Sequence, residues 1–454
     1  MYFPSHILKV DRSTCYVFIA TLVMTVCSTS AAQSPDDEDT SAKYQSTYNW
    51  QKHSAFTSPY AGLNSLSASA EKMYTFSTTA HWGTRIWQGG ELYFNPELAS
   101  GIPFSKNLVG LGGFTNGEIT RAAGSTPVPY VQRLFIRQTW NNGGGRQKIE
   151  SDFNQMAGTV DKNRFVLTAG NFSTLDVFDD NSYAKDPRTQ FMNWGNWTYS
   201  AFDYSADARG FGWGFAGELY QDDWVFRFGR MTGPKEPNGL PLDFALGKHY
   251  GDQVEIEHAH DLNGQPGKVR VLAFRNRAVL ASFNDATAYL AAHPGAGTDP
   301  QTIFNVRGDV KTKYGLGVNL EQAVNTDIGF FLRAMKTDGR TETVAFTEVD
   351  DSFSSGFLFK GNLWGRVNDT VGLSMMQNRL SNDRRKYLEA GGISFFIGDG
   401  GLNYKPETIF EGFYSLGVSK SIWVTGDYQR IQNPAYNASR GPVNVFAARF
   451  HAEF

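Results

Sequence analysis

Counted back from its last residue in twos, the chain reads Phe454, Ala452, Phe450, Ala448, Phe446, while the intervening positions are Glu453, His451, Arg449, Ala447 and Val445. Side chains alternate across a strand with period 2, so this pattern predicts a terminal strand with one apolar, aromatic face and one polar face. The same alternation recurs upstream. Phe357 and Phe359 oppose Lys360 and Asn362; Ile328, Phe330, Leu332 and Ala334 oppose Asp327 and Arg333; Tyr314, Leu316, Val318 and Leu320 oppose Asn319 and Glu321. Trp224, Phe226 and Phe228 oppose Arg227, and Leu134 and Ile136 oppose Arg133 and Arg137. A single strand of this kind suits a soluble sandwich as well as a membrane barrel. Many of them, closing on an aromatic carboxy-terminus, favour an all-β transmembrane antiparallel barrel whose apolar face meets lipid and whose polar face lines a lumen.

The amino-terminus narrows the setting. Lys9 and Arg12 precede an apolar run from Tyr16 to Val26, and Ser30-Ala31-Ala32 offers small residues before Gln33. That order predicts a cleaved signal peptide over 1–32. The apolar run is about half the length that a helix needs to cross a bilayer. Both cysteines, Cys15 and Cys27, fall inside the leader, so thiolate chemistry is not expected of the mature chain. Aromatic residues make up 14 % of the chain and 35 are phenylalanines, enough to supply the interfacial girdles of a barrel. A net charge of −3 gives no electrostatic case for nucleic acid.

Turn chemistry separates the alternating runs. Asn263-Gly264, Gln221-Asp222-Asp223 and Val367-Asn368-Asp369 read as tight reversals, whereas 171–196, 231–250 and 281–305 read as long loops rich in Asp, Asn, Gly and Pro. Short turns alternating with long loops are the barrel habit. About seventeen candidate strands are visible; an even number is required, so sixteen or eighteen strands are expected. The acidic 33–42 stretch reads as a short disordered tail, and 43–454 as one barrel. The 176–197 segment and the Ser54–Ser69 stretch are the candidates for folding into the lumen.

Longer blocks carry a resemblance. Phe178-Asp179-Asp180-Asn181-Ser182-Tyr183-Ala184-Lys185-Asp186-Pro187-Arg188-Thr189-Gln190-Phe191-Met192-Asn193-Trp194 closely resembles a signature of the carbohydrate-selective porins of the OprB family. Phe202-Asp203-Tyr204-Ser205-Ala206-Asp207-Ala208-Arg209-Gly210, Gly317-Val318-Asn319-Leu320-Glu321-Gln322, Trp364-Gly365-Arg366 and Asn433-Pro434-Ala435-Tyr436-Asn437 are similar to later blocks in order. The resemblance implies a sixteen-stranded barrel in the outer membrane of a Gram-negative bacterium, through which sugars such as glucose diffuse passively. Lys185 and Ser439 depart from the family pattern and leave the preferred sugar open.

A sugar offers hydroxyls and apolar C–H faces, so a pore that passes it needs polar groups and flat aromatics without a tight trap. The candidate pore-lining residues are Arg85, Trp87, Glu91, Arg133, Arg137, Trp364 and Arg366, each placed in the lumen by strand phase. For any one arginine the competing role is a wall ion pair. Small neutral carbohydrates, outer-membrane lipid and lipopolysaccharide, and the barrel-assembly machinery are the expected partners; a homotrimer is left open. A general or anion-preferring porin is the alternative, with an outer-membrane barrel enzyme behind it. His258 and His260 share a strand face but lack further ligands in phase, and no nucleophile elbow or His-Glu-x-x-His occurs, so neither a metal, a cofactor nor catalysis is expected.

Overall fold

The computed structural model describes residues 37–122, 124–294 and 301–454. Sixteen antiparallel strands close into one barrel. They are β1 Thr40–His53, β2 Glu71–Trp87, β3 Gly90–Ile102, β4 Gly124–Asn141, β5 Arg164–Phe172, β6 Gly212–Gln221, β7 Trp224–Met231 and β8 Tyr250–Leu262. The second half comprises β9 Gln265–Val279, β10 Val310–Ala323, β11 Ile328–Thr337, β12 Asp351–Lys360, β13 Thr370–Arg379, β14 Glu407–Gly417, β15 Ile422–Gln432 and β16 Val443–Glu453. Each strand pairs with its sequence neighbours, and β16 returns to β1 in the register Tyr48↔Phe450. Phe454 and Tyr44 exchange backbone hydrogen bonds at 2.8 Å, sealing the seam at its lower edge. Closure leaves no unpaired strand edge, the condition for crossing hydrocarbon with strands.

Alternation holds along the wall. On β16, Phe446 and Phe450 point outward, while Val445, Arg449 and His451 are buried inward. Aromatic pairs ring the end that carries the short turns: Trp140 stacks on Phe165 at 5.6 Å, Trp224 meets His258 at 4.3 Å, and Phe330 meets Phe357 at 5.1 Å. Such a belt is what an interface with headgroups selects. His258 and His260 therefore sit on the outer face, 6.5 Å apart, and among the described residues no cluster of metal-ligating side chains occurs.

The two-residue turns are Gln88-Gly89, Asp222-Asp223 and Asn263-Gly264; Asn263 (φ 56°) and Gly264 (φ 78°) adopt the paired left-handed conformation that matches strand twist. The opposite end carries the long loops. The expected leader lies outside the described residues. Of the acidic stretch, Glu38 is docked rather than loose: its carboxylate accepts from Ser151 Oγ (2.8 Å) and Ala157 N (2.7 Å), and β1 already begins at Thr40.

Two loops enter the barrel. Residues 103–122 and 173–211 leave the long-loop end and fill the upper lumen, and the 338–350 loop packs on them. Phe178, Phe191, Trp194, Tyr199 and Phe202 of the longest loop are buried. The wall makes room for them: a Cβ on Gly329 of β11 would run into the Tyr183 ring, and one on Gly317 of β10 into Tyr199. Of the two candidate stretches, 176–197 takes the inward course. The Ser54–Ser69 stretch instead stays at the rim, where it finds partners in the neighbouring loop: Asn64 Nδ2 donates to Ser394 O at 2.8 Å and Asn64 N to Gly398 O at 3.3 Å.

Candidate functional site: a charged ring inside the barrel

Halfway down the lumen the two inward loops meet the β2–β3–β4 wall through one continuous chain of charged side chains. Arg121, in a short 3₁₀ turn of the 103–122 loop, donates through Nη1 to Glu118 Oε1 at 2.6 Å. Glu118 Oε2 accepts from Arg188 Nε at 3.0 Å, and Arg188 Nη2 reaches Glu97 Oε2 on β3 at 2.7 Å. Gln132 of β4 donates to the same Glu97 oxygen at 2.8 Å and accepts from Arg133 Nη1 at 2.6 Å. Arg133 then grips Asp176 with two parallel bonds of 2.7 Å each. Thr79 and Tyr130 also donate to Glu97, and Ser77 Oγ donates to Glu118 at 2.6 Å.

Local structure explains the convergence. Asn116 caps the 3₁₀ turn, its side chain accepting from Glu118 N, so the turn presents Glu118 and Arg121 to the same space. Ser173 and Asp176 form a reciprocal capping box as the long loop leaves β5, fixing the Asp176 carboxylate below Arg133. A bulge between Asn95 and Pro96 brings Gln132 and Arg133 to the inner face together. Aromatic surface flanks these charged side chains: the Arg121 and Arg133 guanidinium groups lie 5.6 and 5.2 Å from the centroid of Phe211, and the neighbouring Arg209 lies 4.4 Å from that of Tyr130. A cavity of about 320 Å³ adjoins Tyr130, Asp207, Arg209 and Phe211 where the loop meets the wall, its other side lined by the outward-facing Val131, Leu134 and Trp213.

The charges persist. Burial would raise the Asp176 pKa, but the Arg133 charge and hydrogen bonds outweigh it and hold the carboxyl below its ordinary range. Burial opposes the charge on Arg188, yet Glu118 and Glu97 raise its pKa further. Three guanidinium groups (Arg121, Arg133, Arg188) face three carboxylates (Glu97, Glu118, Asp176), so the ring is balanced. Arg121, Arg133 and Asp176 keep part of their surface open, while Arg188 is buried.

Of the residues expected from sequence, Arg133 belongs to this ring. Arg85, Glu91 and Arg137 lie lower, near the short-turn mouth; Glu91 is 3.9 Å from each arginine. Trp87, Trp364 and Arg366 lie outside the lumen. A register shift between Arg85 and Trp87 turns Trp87 outward, where it is 56 % exposed and donates to Gln138 Oε1 at 2.6 Å. β12 ends at Lys360, so Trp364 and Arg366 fall in the following turn rather than on the strand; Trp364 packs on Tyr414 of the outer face, and Arg366 pairs with Asp369 at 2.5 Å. Glu97, Glu118, Arg121, Asp176 and Arg188 were not singled out by strand phase. Arg188 lies within the longest family-like block, and Glu118 and Arg121 are spaced i, i+3, but their meeting depends on two loops folding inward.

The model of the carbohydrate-selective porin OprB family matches residues 64–454. The chain belongs to that family. Among solved structures it is similar to Pseudomonas putida OprB at high pH, with 15 % identity over 92 % of this chain and 94 % of that one and a TM-score of 0.65. It is more distantly similar to Pseudomonas aeruginosa OccK2 (OpdF), with 11 % identity over 91 % and 98 % of the two chains and a TM-score of 0.44. No curated protein matches it in sequence. The protein is an outer-membrane carbohydrate-selective porin, a channel rather than an enzyme.

Proposed function

We propose that the Arg121–Glu118–Arg188–Glu97–Gln132–Arg133–Asp176 chain is the selectivity ring through which a small neutral sugar passes. The observation that carries this reading is the chain's continuity from the wall to both inward loops, with Arg121, Arg133 and Asp176 still partly open. A sugar beside it exchanges hydration for guanidinium donors and carboxylate acceptors, while Phe211 and Tyr130 offer flat surface to its C–H faces. Each arginine is already bound to a carboxylate, so it lends a hydroxyl only part of its hydrogen-bonding capacity; contacts are shallow and release is fast. The balance of three positive and three negative groups supports a neutral solute over an anion. In this reading Arg133 is a pore contact, and Arg85, Glu91 and Arg137 line the lower lumen.

Liposome swelling with a series of mono- and disaccharides tests it. Replacing Arg133 by Gln should alter the swelling rate with glucose; an unchanged rate across the series places the ring off the path. We further propose that residues 1–32 are removed on export, that the assembly machinery reads the strand ending in Phe454, and that the aromatic outer belt meets lipid and lipopolysaccharide.

A further inference from the structure

One connection at the short-turn end is not short. Residues 142–163, between β4 and β5, form a hairpin of two strands, Arg146–Ile149 and Gly158–Asp161, whose tip returns into the lumen. The tip is a tight turn: Asp152 N donates to Gln155 O at 2.9 Å, Gln155 N to Asp152 O at 3.2 Å, and Asn154 adopts φ 56°.

The tip is tied to the inner wall at several points. The Phe153 ring lies 4.5 Å from that of His81, and Asn95 Nδ2 donates to Asn154 Oδ1 at 2.7 Å. Arg137 Nη1 donates to Asn154 O at 2.8 Å, and Arg85 Nη2 to Ala157 O at 3.0 Å. Met156 is buried against the Tyr93 side of the lumen, its N donating to Tyr93 Oη at 3.3 Å. Glu38 locks the base of the turn through Ser151 and Ala157. Two of the lumen arginines thus hold a segment of main chain inside the mouth.

The height of this segment gives it meaning. His81 and Asn95 are each two residues below Thr79 and Glu97, which belong to the charged ring. Two residues of strand span about 7 Å, about 5 Å along the axis when strands tilt by roughly 40°, close to the length of one sugar ring. We infer that the 151–157 tip forms a second, lower constriction on the same wall, with Phe153 as an apolar contact and the size-determining side chain for solute leaving the ring. Phe153 keeps part of its surface open, with one side against His81 of the inner wall. A neutral aromatic there sets width without changing the sign of ion preference. The inference rests on the path running past the charged ring.

Cysteine substitution tests it in planar bilayers. The chain's own cysteines, Cys15 and Cys27, precede Gln33, so Phe153→Cys adds a single thiol to the mature protein. Reaction with a negatively charged methanethiosulfonate, located at position 153 by peptide mass, should cut single-channel current roughly twofold or more. Phe153→Ala should raise conductance and admit disaccharides in liposome swelling, with reversal potential unchanged. A Phe153→Cys channel that is labelled at position 153 yet carries unaltered current, or a thiol there that the reagent cannot reach from the pore, overturns the inference. Asn154→Cys repeats the measurement if Phe153→Cys fails to insert. The upper ring is tested separately: an Arg188→Ala channel with the parent's ion selectivity but a persisting block at 153 refutes the ring alone.

Discussion

Arg188 is the residue on which the upper ring turns, and replacing it by alanine has consequences that can be worked through. The side chain is 5 % exposed, and its fork spans Glu118 at 3.0 Å, Glu97 at 2.7 Å and Thr79 Oγ1 at 3.2 Å. Its loss leaves two buried carboxylates short of a partner. Removing one member of a buried pair costs about 3–5 kcal/mol. Glu118 retains Arg121, and Glu97 retains Thr79, Tyr130 and Gln132, so the lower end of that range is expected, confined to the 186–190 stretch. The barrel itself should still insert. The ring changes from balanced to one net negative charge. For a cation about 6 Å away, one unit charge contributes roughly 0.7 kcal/mol at the dielectric of water and about 2.8 kcal/mol at an effective value of 20. Those limits correspond to about a threefold and a hundredfold gain in cation preference, and salt screening favours the lower one. In a planar bilayer with a salt gradient, the reversal potential of Arg188→Ala should move toward the cation value and conductance should rise. Arg188→Lys keeps the charge but not the fork, so its selectivity should stay near the parent's. A folded Arg188→Ala channel with the parent reversal potential and conductance would refute the ring as the constriction.

Other consequences are simpler to state. Asp203 and Lys313 form a fully buried ion pair at 3.2 Å that anchors the far end of the long loop to β10; Lys313→Met should cost about 3–5 kcal/mol locally, read as faster amide exchange over 198–206. Asp176 has a depressed folded pKa, so its contribution is complete above the ordinary carboxyl value of about 3.9 and is lost only as pH falls through the lower folded one; ion selectivity should be flat from about pH 5 to 8 in reversal-potential measurements. Deleting Phe454 removes the two backbone bonds to Tyr44 and the terminal aromatic, and the yield of heat-modifiable barrel in the outer membrane should fall. Trp87→Ala and Arg366→Ala, both outside the lumen, should leave glucose swelling unchanged while Arg133→Gln alters it.

The wall was legible because its signal is local. Alternation with period 2, tight turns such as Asn263-Gly264 and an aromatic terminus each need only a few neighbouring residues; together they point to a closed barrel of sixteen or eighteen strands, and sixteen are observed. Phase failed where the backbone departs from that period. One irregular step between Arg85 and Trp87 reverses the side to which Trp87 points, and the 3₁₀ turn after Lys360 removes Trp364 and Arg366 from any phase. The ring was illegible for another reason. Arg121 and Arg188 stand on loops, where no periodicity assigns a direction, and their partners Glu97 and Glu118 are far from Arg188 in the chain. Length and polarity pointed to the inward loop; which of its charges reach the path did not follow.

Much of the charge inside the barrel has a different task. A loop carried into a lumen brings backbone N–H groups that have no strand partner and must be satisfied. Glu407 of β14 accepts from Gly112 N and Gly113 N at 2.9 and 2.8 Å, and Glu411 accepts from Met192 N at 2.6 Å and Asn193 N at 3.1 Å. Glu255 of β8 takes Asp179 N, and Glu321 of β10 takes Ser182 N. Arg333 and Arg449 do the converse for loop carbonyls: Arg333 holds Ala184 O and Asn196 O, and Arg449 holds Pro187 O and Gln190 O. These wall charges are spent on fixing the loops, and all six side chains are buried. Ion-pair counting would treat them as pore lining, yet a solute does not meet them. The groups that remain partly open at the level of the ring, Arg121, Arg133 and Asp176, pair chiefly with other side chains, Asp176 also taking Ser173 N at 2.9 Å. The barrel thus separates two uses of one chemistry. Charge paired with main chain sets the shape of the lumen, and along the proposed path only the few side-chain-paired groups that stay partly open are left to meet a solute.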